Sequence, residues 1–454
     1  MAINQQRAQW GSRVGFIMAS AGSAIGLGNI WRFPYQVGEH GGGLFVLAYL
    51  FSIVFIGLPV FIAEVFMGRE SQNSPVGAFR HFTKKGSPWM IVGFVGVAAG
   101  FMILSYYSVV AGWCMHYAWL SVTETFSGSS PEEIENSFNL LVTNPGVSTM
   151  WHLVFMALTT TIVLAGIKDG IEIWVKILMP ALFLLLLFLF FYTVSLESFG
   201  QSLSFIFKPD FSKFSVDSII AALGQGLMSL SVGLCAMVAY GSYLGKKEDI
   251  VGTSLWVGGL DSLVAMLGAL VIFPIIFASN LDPAGGPGLV FQSIPVAFAS
   301  MPGGVLLAPA FFILLTFAAL TSAVALLEIP TSYFIDEKGW SRTKAALGTG
   351  GIIAFLGIPA AISASSPLFG SGMINIFGKN WFDLFDYIAA SYMLPFGALG
   401  VALFVAWKVP QEIRESGFKT GSSFMGFYKL WLFLLRFIIP IAILIVFLQM
   451  VGLV

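Results

Sequence analysis

Eleven apolar stretches, ten of them longer than twenty residues, run through this 454-residue chain and constrain its fold more than any motif does. They fall at 13–36, 42–68, 88–122, 150–166, 170–194, 217–243, 250–278, 303–335, 343–363, 381–407 and 428–453. A bilayer-crossing helix takes about 20 mostly apolar residues, and each backbone polar group inside hydrocarbon must find its partner within the chain. The pattern predicts an all-α polytopic membrane protein of eleven spans. Composition closes off the alternatives. With 57% hydrophobic and 10% charged residues, the chain cannot cover a soluble shell, for which about 25% charged is usual. Disorder is excluded by the apolar excess, and a collagen-like chain by 50 glycines with no three-residue period.

Net charge is −1, which points to no nucleic-acid or acidic-surface partner. Cys114 and Cys235 lie in apolar runs far from any C-x-x-C spacing, so neither a zinc site nor a disulfide framework is expected. The segment Met1 to Trp10 lacks the apolar stretch and cleavage site of a signal peptide, and the first span is expected to remain. Orientation follows from the loops. One set carries sixteen basic residues (Arg7, Arg13, Arg69, Arg80, Lys84, Lys85, Lys168, Lys246, Lys247, Lys338, Arg342, Lys344, Lys408, Arg414, Lys419 and Lys429), the other only Lys208, Lys213 and Lys379. This bias predicts a cytoplasmic N-terminus and an extracellular C-terminus at Val454.

Two spans look interrupted. Span 1 reads Ser20-Ala-Gly-Ser-Ala-Ile-Gly-Leu-Gly-Asn29, with glycines that weaken a helix. Span 6 reads Ser229-Leu-Ser-Val-Gly-Leu-Cys-Ala236. Close helix packing through small residues is one reading. The other is unwound backbone at a binding site, which also accounts for Asn29 and the hydroxyls at the same depth. An offset of five spans makes the two interrupted helices antiparallel, the footprint of a five-plus-five inverted repeat. The expected organisation is a tail at 1–12, a first repeat at 13–194, an inverted second repeat at 217–407 and an eleventh helix at 428–453.

Ionisable residues inside a membrane are costly and mark function; here they are Arg32, Glu64, Lys176, Asp261, Glu328, Asp383, Asp386 and Arg436. Arg32 serves either as half of a salt bridge with Asp383 or Asp386, which start span 10 from the same side, or as an interfacial anchor. Span 8 offers Thr321-Ser322, adjacent hydroxyls that either satisfy their own backbone or help build an oxygen cage for sodium, a hard cation. His40, His81, His116 and His152 are scattered, which speaks against an enzyme, and no G-x-x-x-x-G-K-[S/T] loop supports ATP-driven transport.

The string Gly22-Ser-Ala-Ile-Gly-Leu-Gly-Asn-Ile-Trp-Arg-Phe-Pro34 with His40-Gly-Gly-Gly43 resembles the signature of the neurotransmitter:sodium symporter family. Leu223-Gly-Gln-Gly-Leu-Met-Ser-Leu-Ser-Val-Gly233 with Tyr240-Gly-Ser-Tyr243 resembles its sixth helix, and Leu320-Thr-Ser322 its eighth. The resemblance covers nearly the whole chain, and eleven spans are similar to the bacterial amino-acid branch. It implies a LeuT-type fold with helices 1 and 6 unwound; LeuT is itself the worked example of the inverted-repeat principle used above.

The resemblance implies two sodium sites, and therefore sodium as the coupling ion. The first would draw on Ala24, Asn29, Ser229 and the substrate carboxylate, the second on Gly22, Ile25, Ala318, Thr321 and Ser322. Asp261 departs from the neutral residue of many members. It stands as a sodium ligand, as a substitute for chloride or as a plain helix-pairing group, and transport is expected without chloride. Gly26 replaces the aspartate of amine carriers, which leaves room for a substrate carboxylate near Tyr107, with the ammonium near Ser231 and Gly233. Ile103, Met228, Leu234, Ala323 and Leu326 complete an apolar subsite. The expected function is sodium-coupled import of aliphatic or aromatic L-amino acids through the plasma membrane; the alternatives are an amine carrier and a non-transporting sensor. Arg32 and Asp386 would gate the outside, while Arg7 and Trp10 would gate the inside against Asp336 and Tyr243, although Arg7 reads equally as an ordinary positive-inside charge. Gly170 and Pro180 bracket a stretch of span 5 that either unwinds or is merely kinked.

Overall fold

The computed structural model describes residues 7–84, 86–123, 126, 129–212, 214–281 and 288–453; Lys85, Lys213 and Val454, used above, lie outside them. Among the described residues nine helices are long and apolar enough to cross a bilayer: Gly43–Ser71, Met90–Val122, Pro145–Leu164, Ile167–Val194, Ile250–Ala278, Gly304–Lys338, Arg342–Ala361, Trp381–Trp407 and Met425–Met450. These are spans 2 to 5 and 7 to 11. Polar caps set several starts: Ser12, Asn144, Ser215, Asp249, Ser341 and Asn380 each accept a backbone N–H of the first turn with the side chain, which satisfies a donor the helix leaves unpaired.

Spans 1 and 6 are the two whose helix is broken near the middle among the described residues. Span 1 consists of Arg13–Ala24 and Gly28–Glu39, bent by 51°. Its first half ends where Ile25 turns extended, at φ −74° and ψ 92°. Span 6 is helical over Val216–Ser229 and again over Ala236–Gly241. Between them Ser231, Gly233 and Cys235 take positive φ values of 52°, 92° and 58°. Left-handed backbone at alternate positions cannot continue a right-handed helix, and Gly233 is the residue that adopts it without strain. The freed amides are satisfied from span 2, where Glu64 accepts Gly233 N–H at 2.7 Å and Met237 N–H at 3.2 Å. That arrangement explains a carboxylate buried deep in an apolar helix.

Spans 3 and 8 pack closely beside these breaks. Gly96 lies against Cys235 and Gly100 against Pro330 and Leu326, so a side chain at either would press into spans 6 or 8. The boundary between spans 4 and 5 is tighter than the sequence predicts. Gly166, at φ +98°, makes the turn, and span 5 begins at once in wide helical turns over Ile167–Glu172.

Candidate functional site

Both interruptions face a polar knot. Asn29, in a wide turn just past the break of span 1, donates through Nδ2 to Asp261 Oδ1 at 2.7 Å, to the Asp261 carbonyl at 3.2 Å and to Ser229 Oγ at 3.2 Å. Its Oδ1 accepts Gly26 N–H at 3.2 Å. Ser229 donates to Asp261 Oδ2 at 2.7 Å, and the Tyr49 hydroxyl donates to the same oxygen at 3.2 Å. Asp261 is fully buried, with both oxygens engaged. A buried carboxylate is tolerable only with such donors around it.

A second cluster of oxygens forms where span 8 meets the first half of span 1. The Ser322 hydroxyl lies 3.1 Å from the Gly22 carbonyl, 3.2 Å from that of Ser23 and 3.5 Å from that of Ile25. The Thr321 hydroxyl meets the Ala318 carbonyl at 3.0 Å. One hydroxyl proton cannot satisfy three carbonyls, so the cluster is rich in electron density and poor in donors, a setting suited to a hard cation. All five residues named for the second sodium site therefore gather at one place. Among the described residues no group of three or more His, Cys, Asp or Glu could hold a metal ion.

Between the clusters lies a cavity of about 810 Å³. Its inner wall includes Ala24, Gly26, Ile103, Tyr107, Met228, Ser231, Leu234 and Leu326. Tyr107 presents a buried hydroxyl that makes no well-formed hydrogen bond among the described residues, with Ser322 and the Leu27 backbone as its polar neighbours. Gly233 and Ala323 are not in the wall. The Gly233 amide is turned toward Glu64, and Ala323 is sealed inside span 8. Toward its mouth the cavity is lined by Arg32, Phe382, Asp383 and Asp386.

The two ends of the molecule differ. At the end rich in basic residues, Arg7 Nη1 pairs with Asp336 Oδ2 at 2.7 Å, donates through Nη2 to Ser242 Oγ at 2.6 Å and lies over the Tyr243 ring. Trp10 donates its indole N–H to the Tyr240 carbonyl at 3.0 Å and its backbone N–H to the Tyr243 carbonyl at 3.1 Å. Beneath them the Tyr243 hydroxyl reaches Glu328 at 2.6 Å, and Glu328 is clamped by both terminal nitrogens of Arg342. This end is shut. At the other end Arg32 is turned onto the Met228 sulfur and is absent from the ion pairs found among the described residues, as is Asp386.

Span 5 is wound throughout. Gly170 packs against the carbonyl of Ile162 at the end of span 4, and Pro180 sits inside Ile173–Val194. The residue that sequence reasoning passed over here is Glu172. It accepts Gly11 N–H at 2.5 Å and the Ser12 hydroxyl at 2.8 Å, and pairs with Lys176 at 2.6 Å. Tyr49 was passed over as well, but a tyrosine in an apolar helix carries no signal of its own, whereas the acidic Glu172 four residues before Lys176 did carry one.

The sodium:neurotransmitter symporter family model matches residues 7–141 and 136–453. The chain is 36% identical to an uncharacterized sodium-dependent transporter of Bacillus subtilis, over 99% of this chain and 98% of that one. It is 33% identical to one of Haemophilus influenzae, over 98% of each. The crystal structure of MhsT in complex with L-phenylalanine superimposes with a TM-score of 0.89 at 43% identity, covering 98% of this chain and all of that one.

Proposed function

This chain belongs to the sodium:neurotransmitter symporter family, has its LeuT-type fold and is a sodium-dependent membrane transporter; on that premise we propose that it imports hydrophobic L-amino acids by alternating access. The observation that carries this reading is the inner cavity wall. It bears no charged side chain, and it turns the Tyr107 hydroxyl, which makes no well-formed hydrogen bond, inward beside Gly26. A substrate carboxylate supplies a well-placed acceptor for that hydroxyl, while Ile103, Leu234 and Leu326 receive an aliphatic or aromatic side chain. The similar MhsT binds L-phenylalanine in its crystal structure, which supports the same class of substrate here.

An amine carrier needs a carboxylate facing the substrate. Gly26 offers none, and Asp261 is fully buried behind Asn29, Ser229 and Tyr49.

Two sodium ions complete the proposal, one beside Asn29 and Ser229 with the Asp261 carboxylate as fixed counter-charge, the other in the Ser322 cluster. With that carboxylate in place, chloride is not required. The shut basic end, taken as cytoplasmic from the lysine and arginine bias, and the open opposite end correspond to a state ready to load from outside. Substrate binding would then draw Arg32 and Asp386 together, and unwinding between Gly170 and Pro180 would later release sodium inward. The test is uptake of labelled L-phenylalanine into proteoliposomes with and without a sodium gradient, with lysine, glutamate and dopamine as competitors. Sodium-driven accumulation resistant to all three is expected. Binding without accumulation would indicate a sensor, and strong competition by any of the three would refute the substrate class.

A further inference from the structure

The N-terminal segment is fastened by two consecutive amides to two different helices. Trp10 N–H holds the Tyr243 carbonyl of span 6 at 3.1 Å, and Gly11 N–H holds Glu172 Oε2 of span 5 at 2.5 Å. The next residue, Ser12, donates its hydroxyl to Glu172 Oε1 at 2.8 Å while accepting Gly15 N–H at 3.0 Å as the cap of span 1. The carboxylate is thus built into the start of span 1, and the chain makes room for it. A methyl group at Gly15 would fall on the Glu172 carboxylate, and one at Gly11 would come within 3.1 Å of it. Glu172 is only 3% exposed, whereas its ion-pair partner Lys176 is 42% exposed and reaches solvent. Glu172 also closes the wide turns of Ile167–Glu172, a geometry that recurs where helices are locally weak or functional.

We infer that Glu172 is a positioning residue of the transport cycle, a latch that ties the N-terminal seal to the beginning of span 5. Because adjacent amides hold spans 6 and 5, the seal cannot lift from Tyr243 without also pulling on Glu172. Release of the carboxylate in turn removes the donors that hold this turn of span 5 in place and frees the cap of span 1. Opening of the basic end and loosening of span 5 are therefore one event. This inference rests on the alternating-access reading above.

The test uses the full-length protein in proteoliposomes with Ser20→Cys as reporter, Ser20 being buried in span 1 with an unpartnered hydroxyl. The parent without this change measures the background from the buried Cys114 and Cys235. Maleimide labelling from the basic side in saturating sodium is expected to rise roughly tenfold in Glu172→Ala, the scale set by loss of hydrogen bonds to a charged group. Gly15→Ala, which expels the carboxylate without altering it, should raise labelling alike, and the double variant should add nothing further, as expected for two changes to one contact. Glu172→Gln, which keeps one acceptor oxygen, should fall between parent and alanine. Unchanged labelling in Glu172→Ala, additive effects in the double variant, or glutamine labelling as fast as alanine would each overturn the latch. L-phenylalanine uptake in the same vesicles keeps the two ideas apart: a parent without sodium-driven uptake sinks the transport reading, while labelling still reports on the latch.

Discussion

Asn29 of span 1 and Asp261 of span 7 are joined by a 2.7 Å hydrogen bond, Nδ2 to Oδ1, so the break in span 1 is tied to a buried negative charge. Ser229 of span 6 joins the same carboxylate. Spans 1, 6 and 7 thus meet on one residue, with Tyr49 of span 2 bonded to the same carboxylate.

Removing that charge tests its role directly. Asp261→Asn keeps the shape but leaves the proposed first sodium site without a fixed anion. Half-saturating sodium should rise about tenfold, the order of a lost charge-assisted contact, and added chloride should restore part of the uptake. Sodium titrations of L-phenylalanine uptake in chloride and in gluconate read both effects. Parent uptake abolished by removing chloride, or a variant indifferent to it, would defeat the assignment.

Ser322 gathers the carbonyls of Gly22, Ser23 and Ile25 around one hydroxyl. Ser322→Ala removes the one side-chain oxygen that links span 8 to these carbonyls. The expected result is a right shift of the sodium activation curve by roughly tenfold, with a lower Hill coefficient and little change in L-phenylalanine affinity at saturating sodium. A shift in substrate affinity alone would place the residue in the substrate site instead.

Of the two glycines that line the cavity, Gly26 and Gly28, only Gly26 is crowded. A Cβ there would stand 2.8 Å from Ser322 Oγ and 3.2 Å from the Tyr107 hydroxyl. Both are polar groups proposed to serve a ligand, so neither can yield without loss. Gly26→Ala should reduce uptake of L-phenylalanine at least about tenfold, since crowding a packed site costs on the order of 1–3 kcal/mol, while thermal stability in detergent stays near that of the parent. Scintillation proximity binding together with a melting curve separates a blocked site from a misfolded protein.

How much of this was legible in the sequence depended on how local the signal was. Most span boundaries were readable because hydrophobic length acts locally, whereas span 4 starts at Pro145 behind its Asn144 cap, ahead of the expected 150, because that cap was not read as a start signal. The interruptions were readable because Gly22, Gly26 and Gly233 announce weak helix. The convergence of Thr321 and Ser322 on Gly22 and Ile25 was reached only through family resemblance, since contacts between residues some 300 positions apart leave no local trace. The direction of Gly233 depended on Glu64, and the position of Glu172 on glycines at 11 and 15, both long-range pairings that no periodicity encodes. The pairs expected to gate were half visible: Arg7 and Asp336 meet, whereas Arg32 and Asp386 share a cavity without pairing, because a single sequence does not fix how far apart two such side chains stand.

That unclosed pair gives the last prediction. Arg32 and Asp386 both line the mouth of the cavity, and Arg32 rests on Met228, itself part of the inner wall. Substrate entering beneath Met228 would displace the guanidinium toward Asp386, where a partly desolvated ion pair is stronger than one in water. Asp386→Asn should then leave loading possible but closure poor. Dissociation of bound L-phenylalanine should speed up about tenfold, the scale of a lost charge-assisted contact, and maximal uptake should fall, with sodium activation unchanged. Asp386→Glu, which keeps the charge on a longer arm, should recover part of the slow dissociation. Stopped-flow release from proteoliposomes measures this; equal off-rates in parent and Asp386→Asn would show that Arg32 closes the cavity without Asp386.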